Sequence, residues 1–191
     1  MHDDEFAPED HDGEGEEHDQ GLVLVHHSLV ALYLMLWALH WSARGDPSYG
    51  DHLLWDRAQK RVRKDVDRVA ELVASIYEAD VLDPLAGLDA VRLTLSIPDA
   101  DEHPSVRALS VLGHVAELVV TVHDGIADGE DETLTEREGL AATNVLAGVA
   151  DHLNEIAYLA QQRLGGREAS DAMMDDAARV QGARLARRSE D

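Results

Sequence analysis

Two pairs of metal-type side chains share one stretch of this chain. His52 and Asp56 are four residues apart, and so are Asp67 and Glu71. On a helix that spacing puts both members on one face, so each pair can converge on one ion. Eleven residues separate the pairs. Eleven steps of about 100° return to nearly the same azimuth, and they climb about 16 Å. One stripe therefore carries both pairs, but a small metal cluster cannot take both from the same copy. Either each pair is an independent weak site, or two copies meet across a two-fold axis and the upper pair of one faces the lower pair of the other. His40 closes the apolar run just before this stretch and can join the His52/Asp56 half. Imidazole with carboxylate is a good ligand set for iron and a weaker one for magnesium or calcium.

Helices must position these residues. Residues 22–41 form an apolar run of about the length that spans a bilayer. His26, His27, Ser28 and His40 interrupt it, and its flanks are acidic or mixed. A helix apolar nearly all round also suits the interior of a bundle or oligomer, which is the expectation here. Leu22, Val25, Leu29, Leu32, Leu36 and Leu39 keep helical spacing, and Arg44-Gly45-Asp46-Pro47 should stop the helix. A second helix is expected from residues 49–51 to about 79. Its apolar face would be Leu53, Leu54, Ala58, Val62, Val66, Val69, Leu72, Val73 and Ile76.

Residues 80–104 are broken by Pro84, Gly87, Pro98 and Pro104. They read as a long crossover carrying a short helix near residues 85–93. A third helix follows over residues 105–127, with Pro104 ahead and Gly129 behind. Thr133 or Thr135 can cap a fourth, with Glu136 or Glu138 completing a capping box. That helix should end at Gly165-Gly166. The expected fold class is all-α: a four-helix bundle with a short helix in the crossover between helices 2 and 3. Residues 1–20 read as an acidic, histidine-containing disordered tail, 21–165 as the bundle, and 166–191 as a C-terminal tail with a short helix.

Composition narrows the function. The 191 residues carry a formal charge of −23, with 45% hydrophobic and 4% aromatic residues. So negative a chain lacks the net basic surface that non-specific DNA or anionic-membrane binding needs, and it suits a cation-handling protein. There is no cysteine, which excludes disulfides and thiolate zinc sites and is compatible with a reducing cytoplasm. The first nineteen residues hold ten acids and three histidines without a signal peptide's basic start. Weak cation capture by His2, His11 and His18 is the alternative to a merely solvated tail.

The order and spacing of the site residues resemble the Dps family, the DNA-protection-during-starvation miniferritins of the ferritin-like superfamily. The matching residues are Leu39-His40-Trp41, His52, Asp56, Asp67 and Glu71, with Gly45 in the turn and Glu155 and Tyr158 late in the last helix. The resemblance covers about residues 22–164. It implies a ferritin-like bundle, a shell of twelve subunits with 23 symmetry, and a dinuclear iron site between two-fold partners. It implies a ferroxidase that oxidises Fe(II) with hydrogen peroxide, or oxygen, and stores ferric mineral inside the shell, protecting DNA from oxidative damage. By resemblance Asp67 and Glu71 of one chain hold the tighter iron with His40 of the partner, and His52 and Asp56 complete the second position. Trp41 would trap stray oxidising equivalents, and Asp128, Glu130, Asp131 and Glu132 would line a three-fold pore.

The departures are informative. Family members that bind DNA do so through lysine-rich tails, whereas residues 1–20 are acidic and 166–191 hold slightly more acids than arginines. Strong DNA binding is therefore not expected. The larger ferritin plan needs glutamate-x-x-histidine motifs, and no histidine here has a glutamate three residues before it. A non-catalytic helical cage, metal buffer or DNA-compacting protein is the alternative to the enzyme. His26, His27, His114, His123 and His152 read as hydrogen-bonded structural histidines, and Asp65 as structural on another face of the second helix.

Overall fold

The computed structural model describes residues 21–43, 49–77, 79–85, 87–131 and 133–164. These residues form five α-helices and no strand: α1 (Gly21–Ser42), α2 (Tyr49–Ile76), α3 (Leu88–Leu95), α4 (Pro104–Ala127) and α5 (Glu136–Leu164). A 3-10 turn, Ala79–Leu82, follows α2. The protein is all-α, as expected. Both predicted tails, the Arg44-Gly45-Asp46-Pro47 stop and Gly165-Gly166 lie outside the described residues.

The four long helices touch in a closed ring: α1 against α2, α2 against α5, α5 against α4, and α4 against α1. The short α3 lies on α1. The six predicted core residues of α1 are all buried, together with Val111, Leu112, Val115 and Val119 of α4 and Leu146, Val149 and Leu153 of α5. Each buried leucine contributes about 1.5–3 kcal/mol relative to an exposed one, so this shared core holds α1 against α2 and α4. By length and composition α1 and α4 could each cross a membrane. In this fold both give part of their apolar surface to the shared interior, while Leu24, Leu34, Trp37 and Trp41 of α1 and Val120 of α4 stay exposed.

On α2 the expected apolar face packs against the core except at Leu53, with Leu54, Val66 and Ile76 half-buried, and three further residues join it. Leu53 is 36% exposed, while Trp55, Gln59 and Asp65 are buried with Ala58, Val62, Val69, Leu72 and Val73. The stripe runs through Trp55, Gln59, Val62 and Val69, and its polar members hide it from a purely apolar count. Helix ends follow local chemistry. Pro104 opens α4, where the His103 side chain accepts the Ser105 backbone N–H at 3.3 Å. Gly129 takes φ +73° just past α4, the left-handed turn that glycine tolerates best. Of the two caps considered for α5, Thr135 is used. Its Oγ1 accepts the Glu138 N–H at 3.3 Å, and Glu138 accepts the Thr135 N–H at 2.9 Å. Thr133 instead donates to Asp131.

Candidate metal centre

The end of α1 and the start of α2 lie side by side and bring His40 and His52 together. Their rings stack with centroids 4.1 Å apart and planes 28° from parallel. His40 Nδ1 donates to the His52 carbonyl at 3.3 Å, and His52 Nδ1 donates to the His40 carbonyl at 3.0 Å. A carbonyl oxygen only accepts, so Nδ1 carries the proton in both rings. Nε2 is then the lone-pair atom of each, the tautomer a metal ligand needs. Asp56 lies one turn along α2 from His52, with its Oδ1 3.8 Å from His40 Nδ1. His40 is buried, while Asp56 keeps 23% of its side chain exposed.

Lys60 occupies the other Asp56 oxygen, with Nζ to Oδ2 at 2.7 Å. That bond, reinforced by the ammonium charge, holds the Asp56 carboxyl below the usual carboxylate range. The sequence reading did not include Lys60 in the site. Its signal was the four-residue spacing from Asp56, a helical ion-pair distance. Trp41 packs edge-on against His40 with centroids 5.0 Å apart and is itself 62% exposed.

Asp67 and Glu71 stand on the same helix, both exposed. Neither makes a hydrogen bond or ion pair among the described residues. The rise from Asp56 to Asp67 along α2 is about 16 Å. Thus His40, His52 and Asp56 are brought together, while Asp67 and Glu71 are held apart from them. Among the described residues no group of three or more His, Asp or Glu side chains in one chain is arranged to hold a metal.

The other residues singled out fall in separate places. Asp65 is buried and accepts from His152 Nδ1 at 2.8 Å, tying α2 to α5. Burial pushes its carboxyl up, against the opposing pull of that hydrogen bond. His123 pairs with Asp124. His26 Nδ1 and His27 Nε2 are buried without a hydrogen-bond partner among the described residues. Asp128 and Glu130 are exposed after α4, Asp131 is half-buried, and Glu132 lies outside the described residues. No protein-family model, curated protein or solved structure matches this chain.

Proposed function

We propose that the chain is a ferritin-like four-helix bundle of the Dps type, whose copies share a dinuclear ferroxidase site across a two-fold axis. The observation that carries this reading is the division of the ligand types along α2. Two stacked imidazoles and a neighbouring carboxylate cluster at one end, without converging on a metal position within one chain. Two exposed, unpaired carboxylates one turn apart sit about 16 Å away on the same stripe. A second copy running the other way completes both halves. Exposed apolar residues on the α1 turns beside His40, namely Leu34, Trp37 and Trp41, suit burial in such a contact.

The donor set fits Fe(II) as substrate. Both Nε2 atoms have lone pairs, and the three carboxylates add hard oxygen donors and negative charge. When two Fe(II) ions are bound side by side, each gives one electron to hydrogen peroxide. The O–O bond breaks, two protons are taken up, and two waters and two Fe(III) result. Because both electrons arrive together, no hydroxyl radical is released. The chain's own groups have three tasks. The reciprocal Nδ1 bonds fix both imidazoles. Lys60 holds Asp56 through Oδ2 and leaves Oδ1 on the His40 side, drawing on the carboxylate charge that a metal would use. Trp41, beside His40, is placed to donate an electron to stray oxidant. A chain of charge −23 suits a store for ferric ions in the cytoplasm and does not suit strong DNA binding.

Mixing the anaerobic protein with Fe(II) and then peroxide tests the reading. It predicts two irons oxidised per peroxide consumed, and a particle mass near that of twelve chains of 20.9 kDa. Asp67→Ala and His52→Ala should abolish rapid oxidation with assembly intact. A monomer, or unchanged oxidation in both variants, contradicts it.

A further inference from the structure

A groove of about 840 Å³ runs between the first half of α2 and the last part of α5. Its floor is apolar. Ile156 is buried and Leu54 half-buried, while Leu53 and Leu159 remain exposed along its edge. Its rim is cationic, with Arg57, Lys60, Arg61 and Lys64 from α2 and Arg163 from α5 against one carboxylate, Glu155. Both lysines of the chain are here, in a protein of charge −23.

Three of the five cations are already paired: Lys60 with Asp56 at 2.7 Å, Arg61 with Glu155 at 2.9 Å and Arg163 with Asp51 at 2.6 Å. Arg57 and Lys64 make no ion pair among the described residues. They are two turns apart on one helix face, about 10 Å along its axis. Two unpaired cations above exposed leucines ask for one ligand that satisfies both. An inorganic anion would leave the leucines wet. An apolar helix from another protein would cover the cations without pairing them.

We propose that this groove binds an amphipathic carboxylate of the fatty-acid class, with its chain on Leu53, Ile156 and Leu159 and its carboxylate on Arg57 or Lys64. The volume is that of a small-molecule site, and an apolar lining with a few charged groups is how such sites fix orientation. A carboxylate bonded to a guanidinium or ammonium is among the stronger hydrogen-bonded pairs. The inference does not use the metal reading, since neither Arg57 nor Lys64 belongs to the ligand set.

Calorimetric titration of the full chain with dodecanoate, kept below its micelle-forming concentration, is the test. Saturable binding of one dodecanoate per chain is expected. The double variant Arg57→Glu/Lys64→Glu should weaken it at least tenfold, and Leu159→Glu should weaken it independently. All three side chains are exposed, and circular dichroism checks that the helices persist. Dodecyltrimethylammonium should not bind. Absence of dodecanoate binding overturns the proposal. So does equal binding of dodecyltrimethylammonium, or undiminished binding by the double variant, either of which points to a nonspecific apolar surface. Displacement of dodecanoate by inorganic phosphate at equal concentration, with Leu159→Glu without effect, also overturns it by leaving only an anion site.

Discussion

His40 and His52 each donate Nδ1–H to the other's backbone carbonyl, at 3.3 and 3.0 Å, while their rings stack. Each histidine therefore orients the other and pins the start of α2 to the end of α1. On the proposed reading, replacing either by alanine removes a ligand, its own hydrogen bond and the ring stacked on the remaining one, while the backbone carbonyl that holds the remaining Nδ1 stays. Anaerobic titration with Co(II) should show either variant weakened by at least about tenfold. The cost in folding stability should be only about 1 kcal/mol per lost hydrogen bond. A large loss of stability with unchanged cobalt affinity would give the pair a purely structural role.

Lys60 competes with metal for Asp56. Solvent-exposed pairs of this kind are weak, so Lys60→Met should tighten metal binding at the Asp56 position only slightly, by up to about fivefold. Weaker binding in Lys60→Met would mean that the ammonium helps the site.

The buried histidines make the fold acid-sensitive. Burial lowers the pKa of His26 and His27, and for His26 the neighbouring His27 lowers it further. In the unfolded chain both return to about 6.5, so the unfolded state binds more protons once the pH falls below that value. Their contribution to stability is thus complete above about pH 6.5 and is lost as the pH falls toward the depressed native values. Thermal unfolding at about pH 7.5 and about pH 5.5 should show the lower midpoint in acid, with a smaller difference in His26→Leu/His27→Leu.

Gly87 closes over one of these two rings, His27. A Cβ there would overlap the His27 imidazole, which is buried and cannot swing away freely. Gly87→Ala should cost about 1–3 kcal/mol by overpacking, measured by urea unfolding. An unchanged midpoint would show that the chain around Gly87 yields without cost.

Removing His152 leaves buried Asp65 without the hydrogen bond that joins α2 to α5. His152→Ala should destabilise the fold by about 1.5–3 kcal/mol while leaving iron oxidation unchanged. Loss of oxidation at full stability would instead bring His152 into the reaction.

These residues also show what the sequence could reveal. The periodic leucines of α1 named its buried face correctly, because a helix apolar on most sides has few ways to be wrong. The Thr135/Glu138 box was legible from a local motif. The apolar face of α2 was legible apart from Leu53, but the burial of Trp55, Gln59 and Asp65 beside it was not, because it depends on other helices. The partner of Asp65 lies 87 residues away, so only the folded ring of helices discloses it. The cationic groove was hidden by averaging: its positive rim is a local exception within a strongly negative chain. Of the site, the spacing showed that two ligand pairs share a stripe. The carbonyl bonds that set the imidazole tautomers required the turn to be closed.

The shared site is tested most directly by diffraction from crystals grown anaerobically with Fe(II), with iron located from its anomalous signal. The account predicts iron between His40, His52 and Asp56 of one chain and Asp67 and Glu71 of a second. Iron held wholly within one polypeptide, or Asp67 and Glu71 facing no second copy, would contradict it.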